Sequence, residues 1–133
     1  MKNILVIDTI SREAMTLIYR LHNHTVIATG SGETAIFVCR RWKPDLIICG
    51  DMSDMTRTAF VSHLLEKATH RPLLVSIIRQ WDDYVFQSCM AQALECGFDV
   101  AVRSPVNLPT LLLWARLAEL RENTRDFFPR TVK

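Results

Sequence analysis

Two short stretches of this chain, residues 46–49 (Leu-Ile-Ile-Cys) and 73–78 (Leu-Leu-Val-Ser-Ile-Ile), are apolar almost without interruption. Runs of that length suit strands, and a strand without polar alternation must be covered on both faces. A parallel sheet clothed by helices meets that condition, so the remaining segments have to supply helices between strands. Residues 4–7 read as a first strand ending at Asp8, and residues 11–21 follow as a helix with Ala14, Met15, Ile18 and Leu21 as its apolar stripe. Residues 25–29 form a second strand, broken by Gly30-Ser31-Gly32 before a helix over 33–42 that Lys43-Pro44 stops. Residues 58–67 make a third helix and 81–96 a fourth, which Gly97 caps. Residues 100–102 make the last strand and 107–122 the last helix. Five strands alternating with five helices through short connections imply right-handed crossovers, with helices on both faces of one sheet.

The chain has 133 residues, of which 49% are hydrophobic, enough for one domain to bury a core without disulfides. Residues 1–122 are read as that domain and 123–133 as a C-terminal tail, in which Phe127 and Phe128 are too apolar for a wholly solvated segment. The formal charge of +2 is dispersed, which argues against nucleic acid as a partner. Cys39, Cys49, Cys89 and Cys96 lack a C-x-x-C spacing and lie in apolar runs, as reduced, packed thiols do. The apolar run after Met1-Lys2-Asn3 is too short for a signal peptide, and no stretch approaches the roughly 20 apolar residues of a membrane span. A cytoplasmic location without membrane contact is expected.

In open parallel sheets, ligands bind beyond the carboxyl ends of the strands. The residues placed there are Asp8 and Thr9, Gly50 and Asp51, Ile77 to Arg79, and Arg103 and Ser104. Asp8 and Asp51 can converge as an acid pocket, although single acids at such positions also serve as turn and cap residues, as does Asp54. His22 and His24 read as turn histidines, since no third metal ligand is near them in sequence. No G-x-S-x-G, P-loop or G-x-G-x-x-G stands at a strand end, so hydrolase, nucleotidase and dinucleotide chemistry find no support.

Several segments in order resemble the receiver domain of two-component response regulators, over residues 3–121. They are Ile4-Leu-Val-Ile-Asp8, His24 through Ile36, Pro44-Asp-Leu-Ile-Ile48, Pro72-Leu-Leu-Val75, Glu95-Cys-Gly-Phe-Asp99 and Ser104-Pro105. The resemblance implies an α/β, flavodoxin-like three-layer sandwich: a five-stranded parallel sheet in the order 2-1-3-4-5 with five helices. It also implies a cis bond before Pro105. It carries the chemistry less well. Asp8 matches the first acid of the family's pair, but Thr9 stands where the second acid, a direct Mg²⁺ ligand, belongs. Counted without a gap, the phosphoacceptor position is Gly50, and Asp51 becomes the candidate acceptor only if the chain turns there. Ile77 replaces the family's hydroxyl residue and Ser104 its lysine; Arg103, next to Ser104, points the other way by strand alternation.

These departures imply a degenerate receiver, or pseudo-receiver, with no catalytic residues, no metal residues and weak or absent Mg²⁺ binding. It would act in phosphorelay signalling by contact with a protein, either a histidine kinase or an effector, and not as an enzyme. The alternatives are a phosphorylatable receiver using Asp51 and a small-ligand-binding flavodoxin-like domain. The last helix adds a surface expectation. Leu108, Leu111, Leu112, Ala115 and Ala118 should face the sheet, while Leu113, Leu117 and Leu120 form a second stripe. Trp114 lies between the stripes and reads as an interface anchor, and the second stripe is covered by a homodimer through the fourth and fifth helices, by another protein, or by the chain's own tail through Phe127 and Phe128.

Overall fold

The computed structural model describes residues 2–66 and 71–124, the last four of these by their backbone alone. The elements run β1 (Asn3–Ile7), α1 (Arg12–Leu21), β2 (Thr25–Thr29), α2 (Gly32–Arg41), β3 (Leu46–Cys49), α3 (Arg57–Glu66), β4 (Leu73–Ile78), α4 (Asp83–Cys96), β5 (Val100–Arg103) and α5 (Leu108–Thr124). The strands form one parallel sheet in the order β2-β1-β3-β4-β5. This is the α/β sandwich expected, with the strand order that puts β1 and β3 side by side at the centre.

Side-chain alternation divides the sheet into two cores. Ile4, Val6, Leu46, Ile48, Val75 and Ile77 pack against α1 and α5 through Met15, Tyr19, Leu111 and Trp114. Leu5, Ile7, Ile47, Cys49 and Leu74 face α2, α3 and α4 through Ala35, Phe60, Val61 and Ala93. The uninterrupted apolar character of β3 and β4 follows, because every residue of both strands is buried.

Helix ends follow local chemistry. The Ser31 hydroxyl accepts from Thr34 N–H at 3.2 Å and starts α2, and the Asp82 carboxylate accepts from Val85 N–H at 3.0 Å and starts α4. Asp82 therefore leaves Trp81, expected at the first position of this helix, in the preceding loop. Gly97 ends α4 at φ 128°, a backbone conformation that a side chain would strain. The Ser104-Pro105 peptide is cis.

Two helical faces differ from their sequence reading. On α1 the buried residues are Met15 and Tyr19, while Ala14 and Leu21 are exposed. Tyr19 can be a core residue because its hydroxyl donates to the Leu111 carbonyl of α5 at 2.8 Å. On α5, Trp114 is only 2% exposed and belongs to the core. It stands three residues after Leu111 and four before Ala118, spacing that places all three on the sheet-facing stripe. Trp114 is thus not the interface anchor expected of it. Leu108 is exposed and Leu112 half-buried, whereas Leu113, Leu117 and Leu120 do face outward. Phe127, Phe128 and most of the tail lie outside the described residues.

Candidate functional site

The carboxyl ends of β1, β3 and β4 meet around Asp8. Its backbone N–H still belongs to the sheet, donating to Thr29, but its side chain turns into the pocket and is fully buried. One carboxylate oxygen, Oδ1, accepts from Ile10 N–H at 3.1 Å, Asp51 N–H at 3.3 Å and Arg79 Nη1 at 3.1 Å. The other, Oδ2, accepts from Arg79 Nη2 at 2.6 Å. A buried carboxylate needs such a set of donors. Burial by itself pushes the Asp8 carboxyl up, but the hydrogen bonds from Arg79 and from the Ile10 and Asp51 backbone, with the Arg79 charge, outweigh it and hold the group below its usual value.

Arg79 is the first residue beyond β4, and it reaches across the sheet end. Besides gripping Asp8 with both terminal nitrogens, it donates from Nη1 to Asp51 Oδ2 at 3.2 Å and from Nη2 to Ser11 Oγ at 2.6 Å. Its pKa is raised: burial opposes the charge, but Asp8 and then Asp51 favour it more. Asp51 itself is partly exposed and lies 3.5 Å from Arg57 Nη2, which also donates to the Ile77 carbonyl at 2.6 Å.

Gly50 explains why Asp8 and Asp51 can share one cation. β3 ends at Cys49, Gly50 N–H donates to Ile7, and Thr9 N–H donates to the Asp51 carbonyl at 3.0 Å, so the two strand ends are stitched together. A Cβ on Gly50 would lie 2.5 Å from Asp8 Cγ and 2.7 and 2.8 Å from its oxygens, closer than atoms can approach. The Asp8 carboxylate fills the space beside Gly50, and the turn there brings Asp51 to the rim.

The side chains at the other positions that depart from the family's pattern do not enter this cluster. Thr9 is exposed, and Ile77 is buried among the residues facing α1 and α5. Ser76 is fully buried on the other face, with its hydroxyl unpartnered. Ser104 is half-buried and donates its N–H to Ile78. Arg103 turns to α4, pairing with Asp83 at 2.7 Å and stacking on Phe86 at 4.2 Å. The loop after Asp51 is fixed from outside: Asp54 accepts from Gly32 N–H, Glu33 N–H and the Ser31 hydroxyl at 2.8, 3.1 and 3.0 Å. Those backbone hydrogen bonds hold its carboxyl below the usual value. His22 hydrogen-bonds the Ile18 carbonyl through Nδ1, and His24 accepts from Lys2 N–H. No group of three or more His, Cys, Asp or Glu suited to a metal ion occurs among the described residues.

Sequence reasoning placed Asp8, Asp51 and Arg79 at strand ends but did not see that Arg79 joins the other two, nor that Ser11, Arg57 and Asp54 serve the same region. The available signal was an arginine one residue past a buried strand, aimed at the end where an unpaired acid was expected.

The fold is that of response-regulator receiver domains. A two-component response regulator from Clostridium difficile superimposes with a TM-score of 0.79 at 21% identity, over 92% of this chain and 99% of that one. A Francisella response-regulator receiver domain gives 0.78 at 14% identity, over 92% and 99%. The beryllofluoride-activated NtrC4 receiver domain dimer gives 0.76 at 16%, over 89% and 96%. No protein-family model matches the sequence, and no curated protein matches it significantly. Among the described residues, no helix is long and apolar enough to cross a membrane.

Proposed function

We propose that this domain is a receiver-type module of two-component signalling that works by protein contact, with phosphorylation weak or absent. The observation that carries this reading is the packing of the Asp8 carboxylate against Gly50, where an acceptor side chain would have to stand. Asp51, one residue on, is engaged by Arg79. Phosphoryl transfer to a carboxylate needs cations free to receive the incoming charge. The Mg²⁺ of the receiver family does not suit the residues present: Thr9 brings no carboxylate, and both oxygens of Asp8 already accept hydrogen bonds.

Contact would use the sheet edge at β5. All four β5 residues are half-exposed, α4 fully buries only Ala93, and Val85, Leu94, Leu113, Leu117 and Leu120 are exposed on α4 and α5, the helices before and after β5. A histidine kinase, an effector or a second copy of the chain would cover this face, and one receiver of the same fold is itself a dimer. The test is incubation with acetyl phosphate and Mg²⁺ followed by intact-mass measurement. We expect no phosphoryl increment. An increment that disappears in Asp51→Asn would establish the phosphorylatable alternative instead.

The small-ligand reading has one observation in its favour, a cleft of about 520 Å³ between the start of α3 and α4, lined in part by Asp51, Arg57, Met52, Cys89 and Gln92. Its charged and apolar walls suit a small amphiphilic molecule. A panel of metabolites that leaves the melting temperature unchanged counts against it.

A further inference from the structure

The geometry points to Arg79 as a tethered cation that does permanently what a divalent ion would do transiently: it ties Asp8, Asp51 and Ser11 together and excludes metal from the acid pocket. This deepens the contact-module reading and rests on it. The guanidinium meets Asp8 as a fork, with Nη1 and Nη2 on separate carboxylate oxygens at 3.1 and 2.6 Å. Only arginine offers that planar pair of donors. The same two nitrogens reach Asp51 and Ser11, so one side chain from the end of β4 joins the end of β1, the start of α1 and the loop after β3.

Three further observations support a specific role over a chance ion pair. Ser11 occupies the N-cap position of α1 but makes no capping hydrogen bond, and its hydroxyl receives Arg79 instead. Asp8 accepts from two backbone N–H groups as well as from Arg79. Charge is matched residue for residue, Asp8 and Asp51 against Arg79 and Arg57. A divalent ion bound by these carboxylates would have to sit about 2 Å from their oxygens, against a guanidinium holding the same atoms. Both cations cannot occupy the pocket together.

Exposed aromatic residues follow the arginine in sequence. Two residues after Arg79 stands Trp81, 96% exposed, and Tyr84 in the first turn of α4 is 84% exposed. Because this cation is part of the chain and held by hydrogen bonds and ion pairs, a fall in metal concentration does not remove it from the pocket.

The test uses Mn²⁺ alone as probe, followed by electron paramagnetic resonance, on the whole chain. Wild type is expected to bind Mn²⁺ only weakly at millimolar concentration. Arg79→Ala should bind at least tenfold more tightly, Arg79→Ala/Asp8→Asn should lose that gain, and Arg79→Lys, which keeps the charge but not the fork, should restore exclusion only in part. Wild-type binding as tight as that of Arg79→Ala, or a folded Arg79→Ala that gains nothing, overturns the proposal. Should Arg79→Ala fail to fold, the wild-type Arg79 Nε–H resonance decides: it stays sharp on Mn²⁺ addition if the arginine excludes metal, and paramagnetic broadening of it overturns the idea. A wild type that resists acetyl phosphate yet binds Mn²⁺ through Asp8 would sink this inference and leave the contact-module reading standing.

Discussion

At the scale of single residues, the site is organised by one glycine and one arginine. Gly50 is required for space: any side chain would overlap the Asp8 carboxylate, which cannot retreat without abandoning its donors. Overpacking a core site typically costs 1–3 kcal/mol, and Gly50→Ala should lose about 2 kcal/mol in urea unfolding. A change below a few tenths would mean that Asp8 is less firmly held than its hydrogen bonds indicate. Asp8 also sets an acid dependence. Its folded pKa lies below the unfolded value, so its contribution is complete above the unfolded value, about 3.9, and fades as pH falls through the lower folded one. Stability measured against pH should therefore decline in that acid window for wild type. Asp8→Asn should start less stable and show a shallower decline.

At the scale of elements, α4 and α5 carry the contrast between packing and display. Trp114 fills the core under α5, and replacing it with alanine should cost about 3–5 kcal/mol, read as a lowered melting temperature. Leu113, one residue earlier, is 52% exposed, and Leu113→Glu should stay within about 0.5 kcal/mol of wild type in the same measurement. Equal losses at the two positions would contradict an α5 that turns Trp114 to the sheet and Leu113 outward. Helix α4 buries little of itself and is fastened at its ends instead. The Asp82 cap, the Arg103–Asp83 pair and the Gly97 turn do that work.

For the whole molecule, the helices that precede and follow the edge strand β5 in the chain, α4 and α5, both leave apolar residues uncovered. If that edge is the contact surface, wild type should self-associate or capture its partner in sedimentation experiments while Leu113→Glu does not, with both variants equally folded. A variant that associates as wild type does would place the contact elsewhere, for example along the exposed Ile10, Leu17 and Leu21 of α1.

The strands and the alternation of strand and helix were legible from sequence because both depend on local periodicity and on punctuation such as Lys43-Pro44 and Gly97. Residue order also placed Asp8, Gly50, Asp51 and Arg79 at one end of the sheet. Whether those residues attract, exclude or ignore one another depends on distances between chain segments 28 to 71 residues apart, as for Arg79 with Asp51 and Asp8. Local pattern carries no such information. The same holds for Trp114 and Tyr19, whose burial depends on how α1 and α5 lie against each other. Only the tertiary structure decided that the acid pocket is already filled by the protein's own cation.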